Sequence, residues 1–140
     1  MLGRRTGWRQ RGSAAVEFII LLTPLLFLLF GIIEASRLLL TVGVVADAAR
    51  EGARTGAVTP LVGGVGGAFD NNAAVTRIAS VLSAANLTTS SPPDVTCPAC
   101  APGATVTATV TVEFQTPVPL LVPIFGSSFT VRRKTEMRYE

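Results

Sequence analysis

The sequence contains no histidine and only two cysteines, Cys97 and Cys100, among its 140 residues. Histidine is the side chain used most often as a general base and as a metal ligand, so its absence argues against both kinds of site. Two cysteines alone also do not complete a zinc site, which ordinarily needs four ligands. We therefore expect a protein that is not an enzyme and that has no catalytic residue, no metal and no cofactor.

Charged residues are also scarce: they make up 15% of the chain, whereas about a quarter is usual in a soluble domain. Apolar residues make up 49%, and their excess is concentrated between Phe18 and Val45. The net charge of +3 arises from four arginines that precede Ser13, since the remainder has 8 basic and 9 acidic residues. The other basic cluster, residues 132–134, is typical of a solvated strand. Nothing in this distribution points to nucleic-acid binding.

A run of 16 residues without charge, 18–33, predicts a helix that spans a membrane. As a helix the run is about 24 Å long, slightly short of a hydrocarbon core of about 30 Å. Completing the span brings in a carboxylate on either side, Glu17 or Glu34. Because the four arginines lie on the N-terminal side, the positive-inside rule predicts a single-pass protein with a cytoplasmic N-terminus and an exported C-terminal part.

Three explanations of this segment compete. A cleaved secretory signal needs small residues before the cut, and the best candidate, residues 33–35, has the bulky Ile33 where a small residue is required. An uncut signal anchor explains the apolar run and the arginines. It does not explain Glu17, because a carboxylate at a helix centre costs about 2.5–3.5 kcal/mol on insertion scales. The third explanation is processing at Gly12.

The junction GSAAVEF, residues 12–18, directly precedes the apolar run and resembles a prepilin processing site. The resemblance rests on Gly12, Ser13, Glu17 and Phe18, and it implies that a membrane prepilin peptidase cuts after Gly12. Cleavage would create a free α-amino group on Ser13. Glu17 is a natural partner for such an amine on a neighbouring subunit, and their attraction would be stronger at low dielectric than in water.

Two further blocks, GIIEASR at 31–37 and AAREGAR at 48–54, follow in the order found in the TadE-like family. The sequence is similar to this family of minor pilin-like proteins of the bacterial tight-adherence (Flp) pilus over residues 12–56. The resemblance implies a pilin-like subunit in the cytoplasmic membrane or the pilus, needed for pilus assembly or adhesion. Its partners would be the prepilin peptidase, other pilin and minor pilin subunits, and the membrane. The alternatives are an uncleaved membrane-anchored exported scaffold and an exported thiol–disulfide redox protein.

Beyond the membrane the helix is expected to continue, because apolar residues recur at steps of three and four until Pro60. Asp47 with Arg50, and Glu51 with Arg54, are spaced to pair along the helix. Arg50 and Arg54 could also pair with a partner subunit, whereas the alternative is an ordinary charged alanine-rich helix. The candidates for helix packing or subunit contacts are Glu34, Arg37, Arg50, Glu51 and Arg54.

The expected fold class is α+β: a long transmembrane helix that continues into a small exported domain with a second helix and an antiparallel sheet or hairpin. The second helix is predicted over 69–87, with Val75, Ile78, Ala79, Leu82 and Ala85 as its apolar stripe. Strict alternation predicts a strand over 104–115, and a second strand is predicted over 128–138 with Phe129, Val131 and Met137 inward. The divisions are a basic leader (1–12), the helix (13–57), a flexible linker (58–68) and the exported domain (69–140).

Two other features of the exported part have open interpretations. Cys97 and Cys100 have the spacing of a thiol redox motif, but Pro102 and Gly103 prevent the helix that such a motif opens. We therefore favour a local structural disulfide. The apolar, proline-rich segment 116–126 is predicted to contact a partner or the membrane surface through Leu120, Leu121, Ile124 and Phe125, or else to pack on the domain's own core.

Overall fold

The structure is a computed structural model that describes residues 7–64, 67–98, 100–116, 122 and 126–140, with the backbone only for 7–12. Residues 1–6 of the basic leader therefore lie outside the described residues. The same holds for the contact predicted through Leu120, Leu121, Ile124 and Phe125.

The first element is a single helix of 52 residues, α1 (Gly7–Val58), which begins earlier than the sequence predicted and includes Gly12. It continues without a break past Pro24, whose ring removes one backbone donor from the helix. Just before the proline, the Thr23 hydroxyl donates a hydrogen bond to the Ile19 carbonyl over 3.2 Å. Within the described residues, Ser13–Val58 is the one helix long and apolar enough to cross a membrane.

The two halves of α1 have different surroundings. In the N-terminal half, large apolar side chains are turned outward: Phe18 is 64% exposed and Leu28 is 60% exposed. In the C-terminal half, Ala48, Ala49 and Ala53 are completely buried. The first half therefore has the surface of a membrane anchor, and the second half is part of the core of the folded domain.

Three strands form one antiparallel sheet in the order β1 (Asp94–Thr96), β2 (Thr105–Gln115) and β3 (Ser128–Arg138). The alternation predicted for β2 is confirmed, because its even-numbered residues are buried from Val106 to Phe114. On β3, Val131 is buried. Phe129 lies on the same inward face, opposite Phe114, but it is 36% exposed because it lies beyond the core. The sequence did not predict β1, which is too short to alternate over several residues.

The second helix, α2 (Asn72–Ala84), is shorter at both ends than predicted. At its start, Asp70 Oδ1 accepts a hydrogen bond from the Asn72 N–H over 2.9 Å. At its end, Asn86 adopts a left-handed conformation with φ of 53°, and the Leu87 N–H donates to the Leu82 carbonyl over 2.9 Å. This is the Schellman arrangement, which ends a helix by satisfying its last carbonyls.

The buried residues of α2 are Ala74, Ile78 and Leu82, and this row differs from the predicted stripe. Ala79 and Ala85, which were expected inward, are exposed. The helix is therefore rotated so that Ile78 points towards α1. Because Ala79 and Ala85 have small side chains, leaving them in water sacrifices little apolar burial.

The core lies where α1, α2 and the sheet meet, and two glycines allow the close approach. A Cβ at Gly52 would overlap the side chain of Ile78. A Cβ at Gly56 would lie 3.0 Å from Val106 Cγ1 and 3.2 Å from Val95 Cγ1. Glycine lowers helix propensity, so these two positions make the helix locally less stable while they allow the layers to contact each other.

The end of α1 is held by residues that follow β3. The Tyr139 hydroxyl donates to the Thr59 carbonyl over 2.8 Å, and the Glu140 N–H donates to the Ala57 carbonyl over 3.1 Å. The last carbonyls of a helix have no partner within the helix, so such contacts stabilise its end.

We expect Gly52→Val to lower the free energy of unfolding by about 1–3 kcal/mol, because Ile78 must leave its packed position. The matched control is Gly43→Ala, since nothing lies within 4 Å of a Cβ at Gly43. That change should raise stability by roughly 0.5–1 kcal/mol through helix propensity. Thermal unfolding of the full-length protein in detergent measures both variants, and equal midpoints for the two would contradict the proposed contact.

Candidate membrane-boundary and subunit-contact site

The candidate processing residues lie at the start of the apolar surface of α1. Ser13, Glu17 and Phe18 are exposed, and Ser13 and Glu17 are one helical turn apart. Within the described residues Glu17 forms no ion pair. A carboxylate on an otherwise apolar surface can therefore pair with a cation that is supplied from outside the chain.

The second carboxylate, Glu34, lies where the apolar half of α1 meets the folded domain. Its Oε2 accepts a hydrogen bond from Arg37 Nη1 over 3.2 Å, and its side chain is only 10% exposed. The Arg37 guanidinium lies over the ring of Phe114, 5.5 Å from the ring centre. An aromatic face attracts a cation at this distance. Glu34, Arg37 and Phe114 thus form a connected cluster between α1 and β2.

The other carboxylate oxygen of Glu34, Oε1, is buried and has no hydrogen-bond partner among the described residues. Glu34 also lines a cavity of about 110 Å³, whose other lining residues are Gly31, Ala35, Leu38, Phe114 and Phe129. Burying a charged group without a partner is unfavourable. The arrangement therefore offers one strong acceptor in an apolar surrounding.

On the other side of Phe114, Arg37 lines a polar cleft of about 340 Å³. The cleft is lined mainly by hydroxyl and amide groups, from Thr41, Asn86, Thr88, Thr89, Ser90 and Gln115. Among its described lining residues, Arg37 is the one cation and Glu113 is the one anion. The Arg37 side chain remains 47% exposed, so its guanidinium can donate to a further acceptor.

Further along α1, the structure rearranges the expected ion pairs. Asp47 and Arg50 do pair, over 3.2 Å on an exposed surface. Glu51 does not pair with Arg54: it accepts from Arg77 Nε of α2 over 3.0 Å. This pairing follows from the rotation of α2, because the rotation that buries Ile78 brings Arg77 over Glu51. Arg54 is exposed and forms no ion pair within the described residues.

The alanines of the 48–54 block pack inside the folded domain. Ala48, Ala49 and Ala53 are fully buried against α2 and the sheet. Their small side chains therefore permit close packing within this domain and are not accessible to a partner. The surface that α1 leaves open here consists of Gly43, Asp47, Arg50, Arg54 and Val58.

Cys97 and Cys100 are joined by a disulfide in the turn before β2. The chain continues from Cys100 through a turn at 101–103 into β2. Within the described part of the chain, no three His, Cys, Asp or Glu side chains come together in a group that could hold a metal ion.

Sequence reasoning missed two participants in these contacts, Phe114 and Arg77. Phe114 is the last inward position of the β2 alternation, so the strand pattern could have indicated that it faces α1. Arg77 could have been found only by knowing the rotation of α2 relative to α1, which depends on packing against Gly52.

Comparison with known proteins gives one match. Residues 12–54, less than half of the chain, match the family model described as TadE-like protein. The comparisons with curated proteins and with solved structures gave no match. The match includes the junction at 12–18 and the blocks at 31–37 and 48–54, and thus Glu17, Glu34 and Arg54.

The matched family is pilin-related, is associated with the Tad pilus and is not known as enzymatic. The long apolar half of α1 supports membrane anchoring. Both observations are consistent with the resemblance found in the sequence: residues 12–54 of this chain are similar to the TadE-like proteins.

Proposed function

We propose that this protein is a minor pilin-like subunit of a tight-adherence pilus, needed for pilus assembly or adhesion. The observation that carries the proposal is the TadE-like match over 12–54, the segment that contains the membrane helix and its two boundary carboxylates. In this proposal the N-terminus faces the cytoplasm and residues 69–140 form the exported domain, as the arginines before Ser13 favour.

The proposal includes cleavage between Gly12 and Ser13 by a prepilin peptidase. The basic leader, the small residues after Gly12 and the apolar run that begins at Phe18 support it. Cleavage would leave Ser13 as the first residue and Glu17 as the fifth. It would also place a new α-amino cation at the end of a helix whose Glu17, one turn away, forms no ion pair within the described residues.

Glu17 would then select the position of the subunit in an assembly. A carboxylate in a membrane is costly when it is alone, and a cation within contact distance reduces that cost. The α-amino group of a neighbouring subunit would supply that cation. A displacement by one helical turn, about 5.4 Å, would separate the two charges and leave both unpaired.

Subunit contact is also proposed for the open surface of α1 that carries Arg50 and Arg54. Arg50 has only an exposed ion pair with Asp47, and pairs of this kind contribute about 0–1 kcal/mol. Arg54 is exposed on the same side of the helix. Neither arginine is therefore needed to hold the fold, and both are available to an acidic partner.

We expect the mature protein to begin at Ser13 when it is produced with its prepilin peptidase. Gly12→Arg should abolish this processing, because a long side chain replaces the hydrogen of glycine at the cut. The intact mass and the N-terminal sequence of the wild type and of Gly12→Arg, each with and without the peptidase, measure the outcome. Retention of Met1 in the wild type with active peptidase would favour the uncleaved scaffold and contradict the proposed processing.

We expect Arg54→Glu to reduce the recovery of pilin partners with the affinity-purified protein, because it reverses the charge that faces them. Arg132→Glu is the matched control: Arg132 is also exposed, but it lies on β3, away from α1. Equal recovery with Arg54→Glu and Arg132→Glu would count against the proposed surface. Unchanged thermal unfolding of both variants ensures that a loss of recovery reports contact and not folding.

The remaining alternative, a redox function for Cys97 and Cys100, makes an opposite prediction. If the disulfide only fixes the turn before β2, replacing both cysteines with serine should leave pilus assembly unchanged. The loop it closes is short, so little stability should be lost. Counting pili on cells that express the double variant measures the outcome, and a loss of pili with an intact fold would contradict the structural role.

A further inference from the structure

The cluster around Glu34 contains an acceptor that the described chain does not use. Glu34 Oε1 is buried without a hydrogen-bond partner among the described residues, while Oε2 is held by Arg37. Glu34 is one of the residues that line the 110 Å³ cavity, together with Phe114 and Phe129. A buried carboxylate oxygen needs a hydrogen-bond donor, and a cationic donor forms the strongest such bond.

The position of Glu34 along α1 indicates what surrounds it. It is the first charged residue after the run 18–33, whose length as a helix is about 24 Å. Glu34 therefore lies at the edge of the hydrocarbon layer on the side of the folded domain. This is the depth at which lipid headgroups meet acyl chains. The apolar cavity, open beside the exposed residues Ala35 and Phe129, faces the same layer.

The charges on either side of Phe114 fit a headgroup that carries both signs. Glu34 Oε1 can accept from an ammonium group, and Arg37, which is half exposed, can donate to a phosphate. The polar cleft beyond Arg37 has one cation and one anion among its described lining residues, so it matches a zwitterion better than an anion. A buried acceptor also favours an ammonium with N–H groups over a quaternary one, which has no proton to donate.

From this combination we propose that the Glu34–Arg37 pair and the two adjoining recesses bind a zwitterionic phospholipid with a primary ammonium, such as phosphatidylethanolamine. The ammonium donates to Glu34 Oε1, the phosphate accepts from Arg37, and one acyl chain lies along the cavity between Phe114 and Phe129. This lipid site depends on membrane anchoring alone. It is separate from the proposed cleavage and from the subunit surface at Arg54.

The test uses the full-length protein in detergent, with phosphatidylethanolamine, its mono- and dimethyl derivatives, and phosphatidylcholine, all with the same acyl chains. Native mass spectrometry counts the lipid that each protein molecule retains. Retention should fall by about tenfold at the last methylation, which removes the final N–H, since a charge-assisted hydrogen bond is lost there. Equal retention of phosphatidylethanolamine and phosphatidylcholine by the wild type would overturn the proposal without recourse to any variant.

The variant that removes the charge is Glu34→Gln, and Asp47→Asn is its matched control. Asp47 also pairs with an arginine three residues later over 3.2 Å, but that pair is exposed and outside the cluster. Glu34→Gln should lose most of the preference for N–H-bearing headgroups, and Asp47→Asn should keep it. The proposal is wrong if Glu34→Gln keeps the preference for these headgroups. It is also wrong if the wild-type protein shows no such preference and forms a dimer that Glu34→Gln dissociates, because the recess then belongs to another partner.

Discussion

The whole molecule depends on one continuous helix whose two halves lie in different surroundings. In its first half, α1 presents large apolar side chains outward, as a helix in a bilayer requires. In its second half, small residues replace the large outward-facing side chains. Ala48, Gly52 and Ala53 allow α2 and the sheet to approach closely. The change of surroundings along a single helix decides where the membrane ends and the domain begins.

Glu34 lies at this change of surroundings, and its contacts reflect both sides. Arg37 and the ring of Phe114 supply an ion pair and an aromatic face from the domain. The apolar residues of the 110 Å³ cavity belong to the surface that continues into the bilayer. A carboxylate with only one oxygen bonded within the described residues is unfavourable in isolation, so its other oxygen needs a donor from outside those residues.

The sequence was informative where a pattern is local and repeated. The run 18–33 predicted the anchor, and the alternation from Val106 to Val112 predicted β2 and its buried face. It was uninformative where a contact depends on how two elements are rotated. The pairing of Glu51 with Arg77, instead of Arg54, follows from the packing of Ile78 against Gly52, and periodicity along either helix carries no information about that angle.

The same distinction applies at the sheet. Phe129 alternates correctly with Val131 and was therefore expected inward. It does lie on that face, opposite Phe114, but near the start of β3, where the domain core has already ended and the boundary cavity begins. β1 pairs with β2 through only three residues, so its position is determined by its neighbour more than by its own sequence.

Because α1 is continuous, it also fixes how its two halves are rotated relative to each other about the helix axis. Successive residues of a helix are rotated by about 100° around the axis and raised by about 1.5 Å. Since no break separates Glu17 from the buried alanines, the direction in which Glu17 points sets the direction in which the domain faces. A single residue inserted between Glu17 and Glu34 would leave each half intact and turn one relative to the other by more than a quarter of a circle. The helix therefore fixes the orientation of the domain about the helix axis, in addition to anchoring it.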